Sequence, residues 1–150
     1  MEMERYRLIR DEGELDYLFY SFGPRGRVMK IVQFQPVTEF GKNVFNIAFG
    51  DFDEFTGRMN DNVISNNGDR LIILRTVASA IADFIAQRPD AIILAKGSTL
   101  SRVRLYQMAI SSSWSIINQE YEIYGKTKEE WIPFQKGMNF EEFLLFKKIK

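Results

Sequence analysis

Cysteine and histidine are both missing from this 150-residue chain. Their absence excludes disulfide staples, a thiolate nucleophile, an imidazole base and zinc sites built from Cys and His. An excess of charge is missing too: 20 Lys and Arg balance 20 Asp and Glu. No global field therefore draws the chain to nucleic acid or to a membrane surface. Proline is sparse, at four residues, and no linker, repeat or low-complexity tract divides the sequence. The longest apolar runs fall far short of the ~20 residues that cross a bilayer. The opening "MEMERYRLIRDEGELDY" is charged throughout and lacks the apolar core of a secretory leader. A cytoplasmic protein is expected.

What is present argues for a folded core. Hydrophobic residues make up 45% and aromatics 14% of the chain, with 13 phenylalanines, whereas disordered chains lack aromatic and β-branched residues. The length suits one domain over 1–150. Short strands are expected at 6–9, 16–22, 27–37 and 43–51, with turns at 23–26 and 39–42. Residues 52–67 read as a loop, with an extended piece at Val63 and Ile64. A helix follows, with Asp69 as N-cap and Leu71, Leu74, Val77, Ala78, Ile81, Phe84 and Ile85 as its stripe. "QRPD" (87–90) ends it. "AIILA" (91–95) has the continuous apolar character of a central strand.

A second helix is expected from Leu100 to Tyr121, then strands at 122–125 and 130–134. "NFEEFLLFKKIK" reads as a last helix capped by Asn139, with a strand as the alternative. In sum, antiparallel strands fill 6–51, a loop 52–67, helix–strand–helix 69–121, and strands with a helix 122–150. The class is α+β (mixed α/β): a mostly antiparallel sheet carrying two main helices.

Three stretches offer chemistry. "SNNGDR" (65–70) is a glycine turn entering a helix, where free amides and the dipole can hold a phosphate. Asn67, Gly68, Asp69 and Arg70 are its candidates, against the plainer reading of a capped helix. At "GSTLSRVRLYQMAI" (97–110), Ser98 or Thr99 can cap the helix, and Arg102 and Tyr106 share a face four residues apart. Arg104 lies about 200° around the axis from either neighbour. The plainer reading pairs Arg102 with an acid such as Asp69 or Glu54 and buries Tyr106 in the core. Finally, Asp51, Asp53 and Glu54 in "GDFDEF" (50–55) are candidate general bases or cation ligands, against a solvated acidic loop. No metal is expected.

From residue 43 onward, "NNGDRLIILRTVASAIADF", "AIILAKGS" and "SRVRLYQMAI" resemble the successive parts of the GNAT N-acetyltransferase fold. The resemblance implies a strand feeding a glycine loop and a helix that hold coenzyme A pyrophosphate. A parallel strand, another helix and two closing strands then follow. By it, Tyr106 matches the tyrosine that protonates the departing thiolate, and Gly68, Asp69 and Arg70 match the pyrophosphate loop. The loop is degenerate, with Ser65 where Arg or Gln stands in the family and Arg70 where a small residue stands. "SNNGD … GSTLSRVRLYQMAI" is also similar to a family of small uncharacterised bacterial proteins of this length.

Two functions are therefore expected as alternatives. One is an acetyl-coenzyme A-dependent N-acyltransferase with Tyr106 as acid and Asp51, Asp53 or Glu54 as base. Such chemistry needs neither Cys nor His. The other is a non-catalytic GNAT-like protein that binds a partner, for example in a bacterial stress, defence or toxin–antitoxin module. A phosphate-directed enzyme using Arg102, Arg104 and magnesium ranks below both. The expected partner is a small molecule or a protein, a second copy included, rather than nucleic acid or membrane.

Overall fold

The computed structural model describes residues 4–11, 15–60, 66–97 and 99–149. These form nine strands, mostly antiparallel, and three α-helices. The backbone groups into two units, Met1–Phe34 with Ala48–Ala82, and Gln35–Ile47 with Asp83–Lys150.

In the first unit, β2 (Asp16–Gly23) and β3 (Gly26–Pro36) form a hairpin in unbroken register from Asp16↔Gln33 to Gly23↔Gly26. Its two-residue turn, Pro24–Arg25, ends on Gly26 at φ 81°, a left-handed conformation that costs glycine nothing. Strand alternation puts Tyr17, Phe19 and Ser21 on the face that carries Lys30, Val32 and Phe34, and all six are buried. Tyr17 meets Phe34 edge-on at 5.7 Å, and Phe19 stacks on Phe49 at 6.2 Å. β1 (Ile9–Arg10) adds only two pairs, Ile9↔Leu18 and Arg10↔Tyr17.

The stretch 52–67 is not all loop. β4 (Val44–Asp53) runs on to Asp53 and turns back into β5 (Arg58–Asn60), paired Asp51↔Asn60 to Asp53↔Arg58. Gly57 closes that turn at φ 68°, donating its N–H to the Asp53 carbonyl at 2.8 Å. A four-residue turn ending on glycine was the hairpin signal, hidden among acidic residues. Val63, Ile64 and Ser65 lie outside the described residues.

α1 (Arg70–Gln87) buries Ile73, Leu74, Thr76, Val77, Ala80, Phe84 and Ile85. Leu71 is exposed, and Ala78 and Ile81 are half-buried, so the stripe is rotated from the expected one. The reason is compositional: "LIIL" and "VASAIA" make several faces of this helix apolar, so periodicity alone does not choose between them. The helix stops before Pro89, and the Arg88 guanidinium lies 4.8 Å over the Phe84 ring.

In the second unit, β6 (Ile92–Ala95) is an interior strand. It pairs parallel with the start of β4 (Val44↔Ile92 to Asn46↔Leu94) and antiparallel with β9 (Glu142–Lys147). β9 also pairs with β7 (Tyr121–Lys126), which pairs with β8 (Trp131–Pro133). The expected C-terminal helix is therefore a strand inserted between β6 and β7. Its "FLLF" core is apolar on both faces, as a strand with neighbours on either side requires.

The long second helix is interrupted. α2 (Leu100–Ser112) and α3 (Trp114–Glu120) meet at Ser113. Three consecutive serines compete with the helix for its own carbonyls, and the Ser112 hydroxyl donates to the Ala109 carbonyl at 3.1 Å. An aromatic cluster of Trp114, Phe134, Phe140 and Phe143 packs at 4.9–6.1 Å between centroids. A Cβ on Gly125 would sit 2.3 Å from the Phe140 ring, so that cluster needs a glycine in β7. Among the described residues no helix is long and apolar enough to cross a membrane.

Candidate functional site

The densest polar cluster gathers where β2, β3 and the start of α1 meet in the first unit. Asn67, buried, accepts the Arg25 N–H at 2.7 Å on Oδ1 and donates through Nδ2 to the Gly26 carbonyl at 2.9 Å and to Ser21 Oγ at 3.2 Å. Its main chain lies so close to the hairpin that a Cβ on Gly23 would stand 1.9 Å from the Asn67 carbonyl oxygen. Gly68 takes φ 75°, and its N–H donates to Asn66 Oδ1 at 3.0 Å. The amide expected to greet a phosphate is thus occupied by a neighbouring side chain. Arg70 opens α1 with its side chain exposed.

Asp69 corrects the expectation of a side-chain cap. Its carbonyl accepts the Ile73 N–H at 3.0 Å, as the residue before a helix does. Its buried carboxylate turns to Tyr6 and Ser21, both of which donate their hydroxyls to Oδ2, while Oδ1 has no hydrogen-bond partner among the described residues. Tyr6 also accepts the Phe22 N–H at 3.1 Å and lends its own N–H to Thr76 Oγ1 at 2.8 Å. Burial and the bond to Asp69 push the Tyr6 phenol above its usual range.

The acidic candidates separate by role. Asp51 forms an ion pair with Lys30, whose side chain is fully buried. Asp53 Oδ1 accepts the N–H groups of Phe55, at 2.8 Å, and Thr56, at 3.4 Å, and so ties the β4–β5 turn. Glu54 is exposed. Beside this turn a cleft of about 440 Å³ is lined by Asp53, Thr56, Arg58, Met59 and Asn60.

In the second unit Thr99 caps α2, its hydroxyl accepting the Arg102 N–H at 3.2 Å. Ser98 lies outside the described residues. Arg102 and Tyr106 are buried together on one helix face and Arg104 is exposed, as the angular argument expects. The Tyr106 hydroxyl reaches the Ile47 carbonyl at 3.4 Å. Burial pushes that phenol up to about 12, against a smaller downward pull from Arg102.

Lys30, Ser21 and Tyr6 escaped the sequence reading. Lys30 and Ser21 carried a signal, since each stands on the buried parity of an alternating strand, where a polar residue must find a polar partner. Tyr6 carried none.

Fold and clusters together define a mixed α+β protein with polar groups buried inside its sheet face. The chain belongs to DUF6934, a family of unknown function, whose model matches residues 2–148. No curated protein and no solved structure shows a significant match to it.

Proposed function

We propose that this is a partner-binding protein that recognises another protein through the tip of the β4–β5 turn. The observation that carries the reading is the pairing of a clamp with a display. Asp53 ties the turn through two main-chain N–H groups, and the residue it fixes, Phe55, is 102% exposed. A large aromatic on a rigid tip is costly in water and loses little entropy on binding, the two traits of an interface anchor. Other groups eligible for chemistry are engaged in structure: Asp51 with Lys30, the Gly68 amide with Asn66, Tyr106 in the core. A role in a small stress, defence or toxin–antitoxin module would suit such a protein.

The test is co-purification of the tagged protein from its native host, wild type against Phe55→Ser. A partner retained by wild type and lost by Phe55→Ser, with unchanged melting temperature, is the expected result. Identical partner profiles would refute the role of the turn.

Acyl transfer is the second reading, favoured by one observation. β4 and β6 are parallel neighbours joined through α1, and α2 and the closing strands β7 and β9 follow, the order that the GNAT resemblance implies. On this reading Asn67, Gly68, Asp69 and Arg70, all in the first unit, would hold the pyrophosphate of acetyl-coenzyme A. Saturable binding of acetyl-coenzyme A would decide for it.

A further inference from the structure

The carboxylate of Asp69 is only half used. The residue is more than nine-tenths buried, Oδ2 accepts two hydroxyls, and Oδ1 accepts no bond from the described residues. A buried carboxylate oxygen without a donor is costly, and native proteins seldom leave one. What covers the other oxygen is held by its own bonds and ring contacts more than by strand pairing. Tyr6 belongs to the N-terminal segment, whose ladder to β2 among the described residues is two pairs long, and both Ile9 and Arg10 are exposed.

Tyr6 sits there as a plug with a definite shape. Its flat ring stacks on Phe19 at 5.9 Å and tilts against Phe22 at 6.0 Å, while its hydroxyl meets Asp69 and lies 3.2 Å from the Phe22 carbonyl. A guanidinium group is also flat, though smaller, and has better chemistry for a carboxylate. It is planar, stacks on aromatic faces, and sends two parallel N–H bonds to both oxygens of one carboxylate. A phenol has one O–H and cannot supply the second. The Ser21 hydroxyl and Phe22 carbonyl could accept remaining N–H groups. A divalent metal would need about six oxygens with several acids, and among the described residues no three potential metal ligands gather.

We propose that Asp69, Ser21 and the Phe22 carbonyl form a binding site for a guanidinium group, filled by Tyr6 when no ligand is present. The group can come from an arginine side chain or from a free guanidine compound. The proposal does not depend on the Phe55 reading, since either source would bind whether or not the β4–β5 turn holds a partner.

The experiment is calorimetric titration of the full chain with agmatine, with a capped Gly-Arg-Gly peptide and with butylamine, all at equal ionic strength. Removing the plug by Tyr6→Ala should tighten agmatine binding about tenfold, the factor expected if the open state is roughly a tenth populated. Asp69→Asn in that background should abolish binding, and butylamine should bind at least about tenfold more weakly than agmatine, because it has neither a planar face to stack nor a fork of parallel N–H bonds. Peptide binding as tight as agmatine marks arginine as a source; agmatine binding alone marks a free compound. Tyr6→Phe, which loses the hydroxyl that fastens the plug to Asp69 and so opens the site more readily, carries the same test should Tyr6→Ala not fold. No binding at millimolar agmatine by either open variant, binding that survives Asp69→Asn, or equal binding of butylamine would each overturn the site.

Discussion

Replacing Tyr106 by Phe separates a buried phenol from an accessible one, because only a buried phenol makes this position contribute a pH-dependent stability. The Tyr106 phenol titrates at about 12 in the folded chain, against ~10 in an unfolded one. The folded state therefore holds its proton longer. The contribution is intact below pH 10 and is lost as pH rises through 12. At roughly 1.4 kcal/mol per unit, the full loss is on the order of 3 kcal/mol. At pH 11, midway between the two values, roughly half of it is gone.

At neutral pH the substitution removes one long hydrogen bond, 3.4 Å to the Ile47 carbonyl, and should cost at most ~1 kcal/mol. Urea unfolding of wild type and Tyr106→Phe at pH 8 and pH 11 reads both effects. The stability difference should shift by on the order of 1 kcal/mol in favour of the variant at the higher pH. Tyr6 and Tyr121, also raised by burial, are common to both proteins and cancel. Parallel pH curves would mean an ordinary, accessible phenol, and the buried reading of Tyr106 would fail.

Two further substitutions probe the first unit. Asp51→Ala leaves the fully buried Lys30 ammonium without its carboxylate and should destabilise by about 3 kcal/mol in denaturant melts; a loss below ~1 kcal/mol, usual for a surface pair, would refute the buried pairing. Gly23→Ala drives a methyl to 1.9 Å from the Asn67 carbonyl and should cost about 2–3 kcal/mol. Gly26→Ala meets no atom within 4 Å and should cost only the ~1–2 kcal/mol of its left-handed backbone. The reverse order of melting temperatures would refute the packing of Asn67 on the hairpin.

The sequence made visible what local periodicity and turn chemistry control. The β2–β3 hairpin was legible from its alternation and from "GPRG", β6 from its continuous apolar run, and α1 from its helical apolar repeat and the proline stop. Elements set by distant neighbours were not. "EFLLFK" becomes a strand because β6 and β7 offer backbone groups on either side, a demand invisible in the segment itself. α1, apolar on several faces, left its buried arc to the sheet it meets. The same limit governs the sites. Spacing correctly put Arg102 and Tyr106 on one face and Arg104 on another, yet nothing local says that Asp51 meets a lysine 21 positions earlier. Nor does it say that Asp69 turns to Tyr6, 63 positions away, rather than to its own helix.

Calorimetric titration of the intact protein with acetyl-coenzyme A is the most direct test of whether these groups are committed to the fold. If they are, millimolar ligand gives no saturable heat and leaves the melting temperature unchanged. Stoichiometric binding, with the ~2.7 kcal/mol of stabilisation due at a hundredfold excess over Kd, would contradict the partner-binding account and restore the transferase.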